Sequence, residues 1–327
     1  MNKRLVVSLL ATFLLASVHL ADAQQANVYR VGVLMLGSPD IPDMKGLRDG
    51  LKEAGYVEGK NLILDIQAKE IYDELRPIAK AYVEKKFDVI VAMGATATLI
   101  VKELTREIPI VFVGSLDPIL GGLVKSVARP EANVTGVARG TDVEMQGKRL
   151  EVFKEVVPTL RRVAVLYNAR GENPQHAKSL ALVQKIAPHL GLKLAEKPIK
   201  SNADLERALS SVSKETTDGL FVICASLFRE PLKKIAAIAL QKRLALMGCR
   251  ASEVIEQGAL LLYGADTYRM GHRGAWYVDR ILKGTKPQDL PVEAPIYFEL
   301  VINLKTAKQI GLTIPSEVLM RADKVIK

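Results

Sequence analysis

The sequence is poor in the residues that usually carry out bond chemistry. Its 327 residues include four histidines, two cysteines and one tryptophan, and aromatic residues make up only 5%. His176, His189 and His272 stand alone, with no metal-type spacing to another His or Cys, so they read as ordinary helix or surface residues. No G-x-S-x-G nucleophile elbow and no G-x-G-x-x-G dinucleotide fingerprint occurs. The run GTDVEMQGKR from Gly140 has the outline of a phosphate loop. However, six residues separate its glycines where four are needed, and Lys148 is followed by Arg149 instead of Ser or Thr. Carboxylate pairs occur only as helix-face charges. The sequence therefore implies no enzyme activity, no cofactor and no metal.

Other shortages narrow the class further. Two cysteines cannot build a disulfide framework. Cys224 and Cys249 each end an apolar run, LFVIC and LALMGC. They are either small buried thiols or, in an exported protein, a bonded pair. The formal charge of +10 is scattered singly over helices with no aromatic-interleaved basic stripe. That is a solvated basic surface, and no nucleic-acid partner is implied. Long apolar runs are missing except near the N-terminus. There Lys3 and Arg4 precede a largely apolar stretch from Leu5 to Leu20, and Ala21-Asp22-Ala23 forms a small-x-small site before Gln24. Residues 1–23 thus read as a cleaved secretory signal peptide. The run is too short and interrupted for a span of about 20 residues, and no Cys follows it for a lipid anchor. The expected mature protein is periplasmic and not an integral membrane protein. Losing Lys3, Arg4 and Asp22 takes its charge from +10 to +9.

What the chain does have is alternation. In Lys86 to Gly122, two Val/Ile-rich runs, Asp88 to Met93 and Ile108 to Val113, flank a helical pattern from Thr96 to Arg106. Continuously apolar runs of this length suit strands buried on both faces of a parallel sheet. Each ends in small or polar residues, Gly94-Ala95-Thr96 and then Gly114-Ser115 with Asp117-Pro118. Ligands of open α/β sheets sit outside the carboxyl ends of the strands. Upstream lie a strand from Tyr29 to Leu36, a helix through Met44, Leu47 and Leu51, a strand from Asn61 to Gln67, and a helical stretch from Ile71 to Lys85 that Pro77 breaks or kinks. A short helix from Ile119 to Val127 and a strand from Asn133 to Ala138 complete the first set. After a helix from Asp142 to Val157 the alternation restarts. Strands are expected over Arg162 to Tyr167, Leu192 to Lys197, Gly219 to Cys224, Leu244 to Gly248 and Ala259 to Tyr263. Helices are expected over Ala177 to Leu190 and from near Asn202, Glu230 and Ser252. The expected fold class is α/β, with two Rossmann-like lobes of parallel sheet.

Several stretches carry a family resemblance: GLRDGLKEAGYVEGKNL from Gly46, DVIVAMGATAT from Asp88, IPIVFVGSLDPILGGLVKSVARPEANVTGV from Ile108, GKRLEVFKEVVPTLRRVAVLYN from Gly147, ILKGTKPQDLPVE from Ile281, and FELVINLKTAKQIGLTIPSEVLMRAD from Phe298. In this order, spread over nearly all of the mature chain, they resemble the periplasmic substrate-binding proteins of ABC transporters, tryptophan/tyrosine type. The resemblance implies a type I periplasmic binding protein fold, with two lobes, three crossing segments and a ligand cleft between them. It implies a first lobe of 28–140 plus 265–292 and a second of 141–264 plus 293–327. The implied partners are a small-molecule ligand, amino-acid-like or a carboxylate, and a membrane permease. A periplasmic ligand-sensing component is the alternative.

The implied ligand-binding residues are Ser38, Gly94, Ala95, Thr96, Ser115 and Asp117 on the first lobe, with Asn168, Ser226 and Arg250 on the second. Thr96 matches a Thr of relatives said to take aromatic amino acids, and could equally cap its helix. Asp117, before Pro118, suits a turn or hinge as well as a contact. Relatives also carry an acidic residue where this chain has Ala225 and Ser226, and that acid would hold an ammonium group. Without it, Thr96 at a helix start and Arg250 favour a carboxylate ligand, with or without an amine. Tyr263 suits packing in the hinge, and Trp276 suits the core.

Overall fold

The computed structural model describes residues 27–69, 71–115, 118–119, 122–130, 132–139, 142–170, 174–228, 231–249, 254 and 256–327, without the side chains of Tyr72, Asp142, Pro174, Gln175 and Ser226. The expected signal peptide and the helix start near Ser252 lie outside these residues. The first sheet takes five strands: β1 (Tyr29–Leu36), β2 (Leu62–Lys69), β3 (Val89–Met93), β4 (Ile110–Ser115) and β5 (Val134–Ala138), all parallel in the order β2-β1-β3-β4-β5. Burial explains the composition. Val31, Val33, Val89, Val91, Ile110 and Val111 have no exposed surface, because helices cover both faces of this sheet.

Those helices are α1 (Pro42–Glu53), α2 (Leu75–Glu84) and α3 (Gly94–Leu104). A 3₁₀ turn, Tyr72–Glu74, precedes α2. Pro77 therefore falls in the first turn of α2, where a missing N–H costs nothing, and the expected break comes ahead of the proline. The expected helix from Ile119 to Val127 does not form. Its described residues are turns and bends, with Leu123 and Val124 N–H both donating to the Pro118 carbonyl and Gly122 at φ +68°. The paired glycines there favour a loop.

The second sheet takes β6 (Arg162–Asn168), β7 (Lys193–Ile199), β8 (Gly219–Val222), β9 (Ala245–Met247), β10 (Leu261–Ala265), β11 (Phe298–Asn303) and β12 (Lys324–Ile326) in the order β12-β11-β10-β9-β8-β6-β7. All neighbours are parallel except β10 and β11, which run antiparallel, so the second sheet is mixed where an all-parallel one was expected. The reversal follows from the route: β11 re-enters this sheet after a long excursion and pairs with the strand by which the chain left. Its helices are α4 (Asp142–Val156), α5 (Pro174–Ile186), α6 (Asn202–Ser211), α7 (Leu232–Gln241), α9 (Leu304–Ile310) and α10 (Ser316–Arg321); α8 (Thr267–Leu282) packs instead on the first sheet.

Thus the chain passes between sheets three times: after β5, between β10 and α8, and between Glu293 and β11. The return of α8 depends on two glycines. A Cβ at Gly46 would lie 2.0 Å from the Tyr268 carbonyl oxygen, and one at Gly271 would lie 1.8 Å from that of Asp43. Only glycine lets α1 and α8 approach this closely. The third passage is tied down by Glu293. It bridges Val137 of β5, and its carboxylate takes two bonds from Arg273, at 2.8 and 2.7 Å. Arg273 in turn lies 3.7 Å over the Trp276 ring. The hydrogen bonds from Arg273 hold the Glu293 carboxyl below the usual range. Trp276 is half-buried against the core, not inside it. Tyr263 stacks on Phe298, ring centroids 6.1 Å apart, where two passages adjoin.

Candidate functional site

The expected ligand-binding residues gather at the carboxyl edges of the two sheets. On the first sheet, Ser38 follows β1, Gly94 to Thr96 follow β3, and Ser115 ends β4, and these are three neighbouring strands. On the second sheet, Asn168 ends β6 and Ser226 follows β8, its neighbour. Asp117 and Arg250 lie outside the described residues, and Ser226 is described by its backbone alone, in a 3₁₀ turn, Ser226–Phe228. The passages after β5 and β10 leave from these same edges, which makes them the walls of the cleft between the lobes.

Local structure sets what each residue offers. Ser38 is exposed, and its Oγ accepts the Asp40 N–H at 3.1 Å. Asn168 is buried, and its Oδ1 accepts the Arg170 N–H at 3.0 Å, so it shapes its own loop. Thr96 does not cap α3. The N-cap is Met93, with no side-chain acceptor, and Gly94 starts the helix at φ +83°. The leading N–H groups of α3 therefore have no intrahelical acceptor and present the positive end of the dipole at the edge. Thr98, one position into the next turn, donates back to the Gly94 carbonyl at 2.7 Å. Ser115 follows a bulge at Gly114 that shifts register against β5, and its Oγ is buried.

Two arginines near these edges were not among the expected residues. Arg149, on α4, is 2% exposed. It donates to the Val222 carbonyl at 3.0 Å and the Gly248 carbonyl at 2.8 Å, also bonds Gln146, and lies 4.9 Å over the Phe221 ring. It thus pins the ends of β8 and β9 together from beneath. Beside it, Cys224 and Cys249 are bonded, with Cα atoms 5.7 Å apart, joining the loops after the same two strands. Nothing in the sequence separates Arg149 from the exposed basic residues of other helices. Arg139 follows β5, and its N–H donates to the Ser115 carbonyl at 2.6 Å. Its place right after a strand was the available signal.

Among the described residues no group of three or more metal-type side chains gathers. No described helix is long and apolar enough to cross a membrane. An open depression of about 520 Å³, lined by Ala128, Arg129, Gln288 and Asp289, lies near the start of β5. That is the opposite end of the strand from the cleft, and none of the expected residues borders it.

Comparisons with known proteins bear on the family and the fold. A tyrosine-binding protein of Clostridioides difficile strain R20291 is 26% identical over 269 residues, covering 82% of this chain and 76% of that protein. A conserved domain protein of Vibrio cholerae O1 biovar El Tor shares 30% identity over 91% of this chain and all of its own, with a TM-score of 0.78. A Streptococcus pneumoniae ABC domain solved with L-Trp shares the fold at 24% identity and a TM-score of 0.76, covering 91% of this chain and 99% of its own. The two-lobe architecture is that of the type I periplasmic binding proteins. The family model described as ABC transporter substrate binding protein matches residues 33–326, and the chain belongs to that family.

Proposed function

We propose that this protein is the exported solute-binding component of an ABC transporter. It captures a small organic molecule between its lobes and presents the closed form to a membrane permease. The reading is carried by the family match over 33–326, together with polar strand ends gathered at both walls of the cleft. The ligand is of aromatic amino-acid size and carries a carboxylate. The relatives named for tyrosine and solved with L-Trp support that class. Ser38, Gly94, Ala95, Thr96, Ser115 and Asp117 would meet it from a first lobe of 28–140 plus 265–292. Asn168, Ser226 and Arg250 would meet it from a second lobe of 141–264 plus 293–327. Residues 1–23 direct export and are removed in the periplasm. Binding works by population shift: a ligand touching both lobes stabilises the closed state that the permease recognises.

Native mass spectrometry of protein purified from cell extract tests this directly, by showing a co-purifying small molecule. The same compound at about 100 times its dissociation constant adds about 2.7 kcal/mol to the native state, raising the melting temperature by several degrees. Turnover of the bound compound, or a cytoplasmic protein that keeps Met1, would count against the proposal.

A further inference from the structure

Two polar groups at the first-lobe wall have no partner. Ser115 is 1% exposed, and its Oγ makes no hydrogen bond. Arg139 is half-buried; its Nε is sealed from solvent without an acceptor, and its guanidinium makes no hydrogen bond or ion pair among the described residues. Other partly covered arginines are paired: Arg273 with Glu293, Arg162 with Asp218, and Arg149 with two main-chain carbonyls. Arg139 and Ser115 are also adjacent. Ser115 pairs with Ala138 across β4 and β5, and Arg139 is the next residue, bonded through its N–H to the Ser115 carbonyl. On the other side of β4, β3 ends in the uncapped start of α3.

Sealing the Arg139 Nε–H from water without an acceptor is costly, and so is burying the lone Ser115 hydroxyl. Both costs fall if an anion reaches the two donors at this corner of the sheet. Each of the three neighbouring strand ends offers donors: a planar guanidinium, a hydroxyl and free helix N–H groups. A carboxylate, flat and able to take two parallel bonds, matches that set.

We propose that Arg139 and Ser115 are the anion seat of the cleft and take the carboxylate of the ligand, with the first N–H groups of α3 beside them. This rests on the substrate-binding reading above, and it places charge recognition on the first lobe. The ligand is then held by its carboxylate in the open protein, and the second lobe closes over the remainder. Because Arg139 begins the first passage between lobes, filling the seat fixes one end of the hinge.

The test is calorimetry with three probes that share one aryl group: L-tyrosine, 3-(4-hydroxyphenyl)propanoate and tyramine. The wild-type protein is expected to bind at least one of the two carboxylates and to leave tyramine unbound. Arg139→Gln should weaken carboxylate binding on the order of 30-fold or more, which is about 2 kcal/mol at 1.4 kcal/mol per tenfold. Ser115→Ala should weaken it less, and Arg139→Lys should recover part of the loss. Without ligand, Arg139→Gln should melt no lower than wild type, since it leaves no partner behind. Tyramine bound as well as the carboxylates, an Arg139→Gln affinity within twofold of wild type, or a marked drop in unliganded melting temperature overturns the seat. So does a wild-type protein that binds neither carboxylate. The transport reading is judged separately, by whether any small molecule co-purifies.

Discussion

Reducing the Cys224–Cys249 bond should destabilise the second lobe through its unfolded state. The bond closes a loop of 25 residues in sequence separation that contains α7 and β9. Loop-closure entropy for that length corresponds to about 3.5 kcal/mol at 25 °C. The native state itself loses little. β8 and β9 stay hydrogen-bonded, and Arg149 still ties Val222 to Gly248. Urea unfolding with and without reductant measures the effect. At a slope of about 3 kcal/mol per molar, the second-lobe midpoint should fall by about 1 M, and any separate first-lobe transition should stay in place. The Cys224→Ser/Cys249→Ser double variant should behave like the reduced protein and ignore reductant. Two free thiols in denatured, unreduced, exported protein would refute the bond. A midpoint that reductant leaves unmoved would refute the entropic argument.

Arg149→Met keeps most of the buried stem but removes the donors to Val222 and Gly248. Orphaning two buried carbonyls at about 1–3 kcal/mol each should cost about 2–6 kcal/mol by urea unfolding and loosen ligand binding. A neutral result would mean that burying the guanidinium costs as much as its bonds return. Gly271→Ala would drive a methyl group into the Asp43 backbone, so a loss of about 3 kcal/mol or more is expected in thermal melting, whereas Gly284→Ala, with open space around it and only the strain of a φ of +97° to bear, should lose less. Glu299 is pushed up to about 7, first by burial and then by Asp266 and Asp323. Its folded value exceeds its unfolded one, so its contribution is greatest below about pH 4.5 and fades as pH rises to about 7. Glu299→Gln should therefore raise stability by about 1 kcal/mol at pH 8, after allowance for solvent screening, and change little at pH 4. A pH-independent difference would show that Glu299 is not the group titrating there.

The first sheet was almost wholly legible because its strands are short Val/Ile runs buried on both faces, separated by amphipathic helices. β1, β3 and β5 fall within a residue or two of their expected bounds. β11 was not anticipated as a strand, and β12 is too short to carry a pattern. The stretch from Ile119 to Val127 misled because apolar residues at helical spacing outweighed Gly121-Gly122. In the candidate site, residues directly after strands could be placed from the sequence, since a parallel sheet puts every carboxyl end on one edge. Their hydrogen-bond states could not. That Asn168 bonds its own loop and that Thr96 leaves α3 uncapped depends on side-chain geometry.

The sequence alone determined the alternation of strand and helix and the positions of the strand ends. Those properties are local: they follow from side-chain period, branching and backbone freedom over a few residues. Only the tertiary structure decided that α8 returns to the first lobe, that β11 runs antiparallel, that Arg149 is buried while most other helix arginines are exposed, and that Ser115 and Arg139 are neighbours at the end of the first sheet without partners among the described residues. Each depends on segments tens to more than two hundred residues apart meeting in space, and burial or pairing of a polar group is fixed by what arrives beside it.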